Sequence, residues 1–202
     1  MKSNQTELLE IFRSWVFEPE VVVLDTETTG LDEHAEVIEV SVMDMTGNVL
    51  FDQLIRPLHS VPEDAIEIHG ITNETLRDKP IFPELYHALM EVIKGKSVVA
   101  YNASYDHRLL KQTCDAYGLP MIEVDWQCAM MAYAEFRGEL DTKRGGYRRQ
   151  SLIKAANQMG IEITGSHRSV ADCFTTVEVI RAVFAKLTVS DLMTADQLRS
   201  TV

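Results

Sequence analysis

Four apolar residues, Val21-Val22-Val23-Leu24, run straight into two acids one residue apart, Asp25 and Glu27. A β-branched run of this kind predicts a central strand. Side chains alternate along a strand, so both carboxylates fall on one face. Two neighbouring buried carboxylates repel and do not both ionise. A hard divalent cation resolves the conflict, because it takes oxygen ligands and tolerates their charge. Thr28, Thr29 and Gly30 follow, with Gly30 read as the residue that lets the backbone turn tightly. Taken alone, the segment also reads as a strand entering a polar turn, where Asp, Thr and Gly are common.

Around that strand the chain alternates its patterns. Residues 5–17 carry Leu8, Leu9, Phe12, Trp15 and Val16 at helical spacing. Ile38, Val40 and Val42 alternate with polar or less buried positions as a second strand. Thr46-Gly47-Asn48 is a turn, and Val49 to Arg56 returns as a third strand. Residues 57–82 read as an irregular connection with one short helix. A helix over 83–94, a short buried strand at Val98-Val99-Ala100 and a helix over 105–117 follow. Further helices are expected near 127–136, over 151–159 between Ser151 and Gly160, and over 169–187. A hairpin followed by alternating strands and helices predicts an α/β domain: a mixed sheet flanked by helices. The expected division is an N-terminal helical extension at 1–20, one domain at 21–187 and a C-terminal tail at 188–202.

Two more segments carry candidate chemistry. Tyr101-Asn102-Ala103-Ser104-Tyr105-Asp106 follows the short buried strand and opens a helix. Asp106 then sits in the first turn, where the helix dipole favours a carboxylate. By itself it reads as a capping acid. In His167-Arg168-Ser169-Val170-Ala171-Asp172-Cys173, Asp172 lies among apolar neighbours on the last helix. An acid flanked like that is half-exposed or has a partner. His167 and Asp172 would stand about 140° apart on a regular helix. For both to reach one site, His167 must lie on the loop before the helix, which Gly165 and Ser166 allow. Alone, His167 also reads as a surface histidine.

Together the three segments resemble, in order and form, the three motifs of the DnaQ-like (DEDDh) 3′→5′ exonuclease superfamily. Val22 to Gly30 looks like the first motif, Ala100 to Asp106 the second, and His167 to Asp172 the third in its histidine form. Glu67-Ile68-His69-Gly70-Ile71-Thr72 resembles another stretch common in the family. The likeness covers residues 21–187 and is greatest to the proofreading epsilon subunits of bacterial replicative DNA polymerase and their stand-alone relatives. The resemblance implies a ribonuclease-H-like fold, whose first three strands form an antiparallel meander before the parallel strands. It implies two divalent cations, Mg²⁺ or Mn²⁺, held by Asp25, Glu27, Asp106 and Asp172, with His167 as general base. Thr28, Gly30, Leu31, His69, Asn102 and Tyr105 are implied to contact the substrate, a single-stranded 3′ end with DNA favoured. A DNA polymerase partner is compatible with it. One departure stands in the second motif, where the family usually has His and Phe and this chain has Tyr101 and Tyr105. Tyr105 keeps the ring. Tyr101 reads either as a base-stacking group or as packing.

Composition sets the rivals. The net charge of −12 is awkward for a nucleic-acid binder and would by itself suggest a small-molecule enzyme. Cations at clustered acids offset it, and basic residues concentrate in Arg137, Lys143, Arg144, Arg148 and Arg149. That run reads equally as a solvated loop. Three scattered cysteines, without a Cys-x-x-Cys pair, argue against a disulfide framework or a structural zinc. No apolar run reaches membrane-helix length, and Met1 to Glu20 lacks a signal-peptide core, so a cytoplasmic location is expected. A haloacid-dehalogenase-like phosphatase is disfavoured because the second acid is Glu27 and no late acid pair follows a strand. A 3′→5′ exoribonuclease and a non-catalytic 3′-end-binding module remain the alternatives.

Overall fold

The computed structural model describes residues 2–121, 123–165 and 167–199. Its elements run α1 (Lys2–Phe17), β1 (Val21–Thr28), β2 (Val37–Asp44), β3 (Val49–Leu54), α2 (Glu63–His69), α3 (Asn73–Leu76), α4 (Phe82–Ile93), β4 (Ser97–Ala100), α5 (Ala103–Ala116), β5 (Asp125–Cys128), α6 (Ala129–Arg137), α7 (Leu152–Met159) and α8 (Ser169–Arg199). The strands form one sheet in the order β3-β2-β1-β4-β5. β1, β2 and β3 pair antiparallel, and β4 and β5 join in parallel. This is the mixed, helix-flanked sheet the sequence predicts, with β1 at its centre.

The alternation of β1 sorts its side chains into two cores. Val21 and Val23 belong to the face covered by α1, α6, α7 and α8, with Phe12, Trp15, Tyr133, Val177 and Ile180. Val22 and Leu24 belong to the opposite face, with Phe82 and Leu89 of α4 and Leu109 and Leu110 of α5. Continued past Leu24, the same alternation sends Asp25 and Glu27 toward α8, and Thr26 and Thr28 toward α5. The sheet's apolar core thus ends where its acids begin.

Four local outcomes differ from the sequence reading. β2 is buried on both faces through Met43, because α8 crosses over Glu39 and Ser41 where half-exposure was expected. β5 was read as the start of a helix; Asp-Trp-Gln-Cys has no β-branched run, and its strand state comes from pairing with β4. The connection at 57–82 holds two short helices. The last helix continues to Arg199, past the expected end at 187. Helix α1 packs onto the chain's own core through Leu8, Phe12 and Trp15, and Phe17 meets Phe184 edge-on at 5.4 Å.

Candidate active site

Three of the four acids singled out in the sequence converge. One carboxylate oxygen each from Asp25, Glu27 and Asp172 lies within 4.8 Å of the others. β1 supplies the first two on one face, and the first turn of α8 brings the third over them. The fourth, Asp106, stands outside this trio. It is buried in the first turn of α5, where its carboxylate accepts the Thr26 hydroxyl at 2.8 Å. Asp106 is nonetheless close: of the neighbouring charges, its own raises the Asp25 carboxyl most, and it acts on Glu27 as well.

The electrostatics match a donor set for a hard cation. Burial, then the charges of Asp106, Asp172 and Glu27, push the Asp25 carboxyl well above the usual range. Glu27 rises from 4.5 to about 8, first through burial and then through Asp172, Glu39 and Asp106, while Arg168 pulls it back. Burial raises Asp106 to about 7 against its bond from Thr26. Burial also raises Asp172, opposed by the neighbouring His167 and by a hydrogen bond from the His167 backbone. Carboxylates that resist ionising together, gathered within 4.8 Å of one another, suit a divalent ion between them.

His167 lies before α8, as the five-residue spacing requires, and is exposed. Ser166, read as part of the same loop, falls outside the described residues. His167 is the only non-glycine with positive φ among the described residues, at 62°. On the α5 side, the Thr28 hydroxyl bonds the Gly30 carbonyl (2.9 Å) and the Tyr105 hydroxyl (2.8 Å). Gly30 does not take a left-handed φ, so the tight-turn role expected for it is not used; the space beside its Cα is open. Leu31 is 75% exposed next to it. Asn102 precedes α5 without a side-chain cap; its side-chain oxygen accepts a long bond from the Ser104 hydroxyl (3.4 Å) and its carbonyl accepts the Tyr105 N–H at 2.8 Å.

His69 ends α2 and is buried. Its Nδ1 accepts the Ile71 N–H at 3.0 Å, which leaves the proton of a neutral ring on Nε2. Burial lowers its pKa, partly offset by the Thr28 backbone. Nε2 is buried and has no hydrogen-bond partner among the described residues. Tyr101 packs: it is buried in the α8-side core and its hydroxyl donates to the Gln150 carbonyl at 3.0 Å.

Glu39 was not singled out in the sequence. It is buried on β2 opposite Glu27, and holds Arg168 through both carboxylate oxygens. The signal was present: an acid inside the apolar run Val37 to Val42 needs a cation nearby, and Arg168 adjoins His167. The basic run forms its own hairpin, closed by a bridge between Leu140 and Tyr147. Residues 142–149 are exposed. Lys143, Arg144, Tyr147 and Arg148 line a cavity of about 690 Å³ there.

Comparison with known proteins follows the same residues. A family model described as exonuclease (RNase T) matches residues 22–180. The chain is 36% identical over 178 residues to an uncharacterised exonuclease of Escherichia phage 186, covering 85% of this chain and 91% of that protein. It is 29% identical over 185 residues to the DNA polymerase III epsilon subunit of Pasteurella multocida, covering 83% and 67%. Among solved structures, it superposes on exonuclease X in complex with 5′-overhanging duplex DNA with a TM-score of 0.59 at 24% identity, covering 82% and 91%. It superposes on the nuclease domain of 3′hExo, a DEDDh family member bound to rAMP, with a TM-score of 0.66 at 17% identity, covering 80% and 90%.

Proposed function

The chain belongs to the RNase T-type exonuclease family, hydrolases of the DnaQ (DEDDh) kind, and on that premise we propose that it shortens single-stranded DNA from the 3′ end, releasing nucleoside monophosphates. The observation that carries this reading is the convergence of Asp25, Glu27 and Asp172 within 4.8 Å, with His167 at the mouth of the same helix.

Asp25, Glu27 and Asp172 would hold divalent cations, Mg²⁺ or Mn²⁺, and the charge of Asp106 would add to theirs. Such ions would supply charge stabilisation to the attacking and leaving oxygens of an in-line phosphodiester displacement. His167 takes the proton of the attacking water; its exposed position before α8 lets it approach without competing for the carboxylates. Thr28 donates to Gly30 and is linked to Tyr105, which leaves an oxygen lone pair to receive the terminal 3′-hydroxyl. That contact makes a chain end a requirement. His69, whose Nε2–H faces the Thr28 backbone, stands ready to steady the segment that meets the substrate end. Leu31, exposed at the turn, stacks on the terminal base, and Asn102 lines the other wall. The basic hairpin holds the backbone further along.

DNA is favoured over RNA because epsilon subunits of DNA polymerase III recur among the relatives. A polymerase partner belongs to the same reading. The rival is an exoribonuclease, supported by the solved neighbour bound to rAMP. Side-by-side degradation of labelled single-stranded DNA and RNA of one sequence decides between them: faster loss of DNA is expected, and faster loss of RNA reverses the assignment.

A further inference from the structure

Glu39 lies outside all three motif segments yet is built into the site. Its side chain is 1% exposed, on the α8 face of the sheet and in register with Glu27. Every acceptor it offers there is used. Arg168 Nε sits 3.0 and 3.1 Å from its two oxygens, and Arg168 Nη2 also donates to one of them. The Ser169 backbone N–H donates to the other at 2.9 Å. The Ser169 hydroxyl bonds that of Ser41 at 2.6 Å, and Ser41 in turn donates to Asp52 at 2.8 Å. The first residue of α8 and the residue before it are thus pinned to β2 at three points.

These two residues directly follow His167, whose φ of 62° is one that a residue with a Cβ keeps only where its surroundings enforce it. Asp172 needs no such help, because it lies inside α8 and its backbone is set by the helix. We propose that Glu39 is a positioning residue that acts through Arg168 and Ser169 to fix the backbone of His167, and so aims the imidazole at the attacking water. This rests on the reading of His167 as general base. The clamp needs a full carboxylate: a guanidinium fork and a backbone N–H are all donors, and an amide in that place offers one oxygen and turns an NH₂ toward one of them. Replacing Arg168 by Lys keeps the charge and loses the fork.

A double-mutant cycle tests this, with single-turnover rates on labelled single-stranded DNA for the wild type, Glu39→Gln, His167→Ala and the double variant. Glu39→Gln is expected to lower the maximal rate by about 10²-fold, the worth of a misplacement near 1 Å, with little change in KM. In the His167→Ala background the same substitution is expected to cost less than about 3-fold, since the group it positions is gone. Melting curves report whether Glu39→Gln folds; if it does not, Arg168→Lys, at a half-exposed side chain, carries the same cycle. An equal loss in both backgrounds overturns the proposal and assigns Glu39 to structure or to the carboxylates. A full wild-type rate in His167→Ala overturns it differently, by removing the base itself.

Discussion

Without divalent ions, Glu27→Gln should make the protein more stable at pH 8 and change little at pH 5. Glu27 shares its site with two other carboxylates within 4.8 Å, and its own pKa rises from 4.5 to about 8 through burial and then the charges of Asp172, Glu39 and Asp106. The folded protein therefore holds this proton more tightly than the unfolded chain. The stability that this represents is complete below about 4.5, and it is lost as the pH climbs through about 8. At about 1.4 kcal/mol for each tenfold change in proton affinity, the full move corresponds to roughly 5 kcal/mol. The repulsion is shared with Asp25 and Asp172, and Glu27 is only partly buried, so about 2 kcal/mol is the expected net effect of removing the charge. In a chain of this size that raises Tm by about 4–8 °C. Thermal unfolding in chelator, followed by the fluorescence of Trp15 and Trp126, measures it for wild type and variant at both pH values. An unchanged or lower Tm for Glu27→Gln at pH 8, or an equal gain at pH 5, would refute the claim that mutual repulsion strains this site.

Two further outcomes follow from the same geometry. His167→Ala should lower the catalytic rate by roughly 10²–10⁴-fold while Mn²⁺ affinity measured by calorimetry stays near wild type, because the carboxylates remain; loss of a bound ion would make the histidine a ligand. Neutralising Lys143, Arg144, Arg148 and Arg149 together should raise KM and flatten its salt dependence, because fewer counterions are released on binding. An unchanged salt slope would reduce that hairpin to a solvated loop.

The site was legible wherever one segment carried its own signal. Val21 to Leu24 announced the central strand, and its alternation put Asp25 and Glu27 on one face. Ser151 and Gly160 bracket α7 as a side-chain cap and a left-handed stop. The spacing of His167 and Asp172 required the loop that the structure has. What stayed hidden depends on partners distant in sequence. The burial of Glu39 is set by Arg168 and Ser169, more than a hundred residues away, so its place in an apolar strand looked like ordinary alternation. The strand state of β5 is conferred by β4, and the packing of Tyr101 by Gln150. Asp106 could be placed on a helix from sequence, but its bond from the Thr26 hydroxyl could not be read there.

The direction of attack tests the central claim most directly. Single-stranded DNA labelled at its 5′ end, incubated with Mg²⁺ and resolved on a sequencing gel, should show a ladder that shortens from the 3′ end one nucleotide at a time. The ladder should vanish in chelator and with Asp25→Ala, while that variant keeps its fold by circular dichroism. Immediate release of the label as a mononucleotide, cleavage at internal positions, or an undiminished ladder with Asp25→Ala would contradict the account.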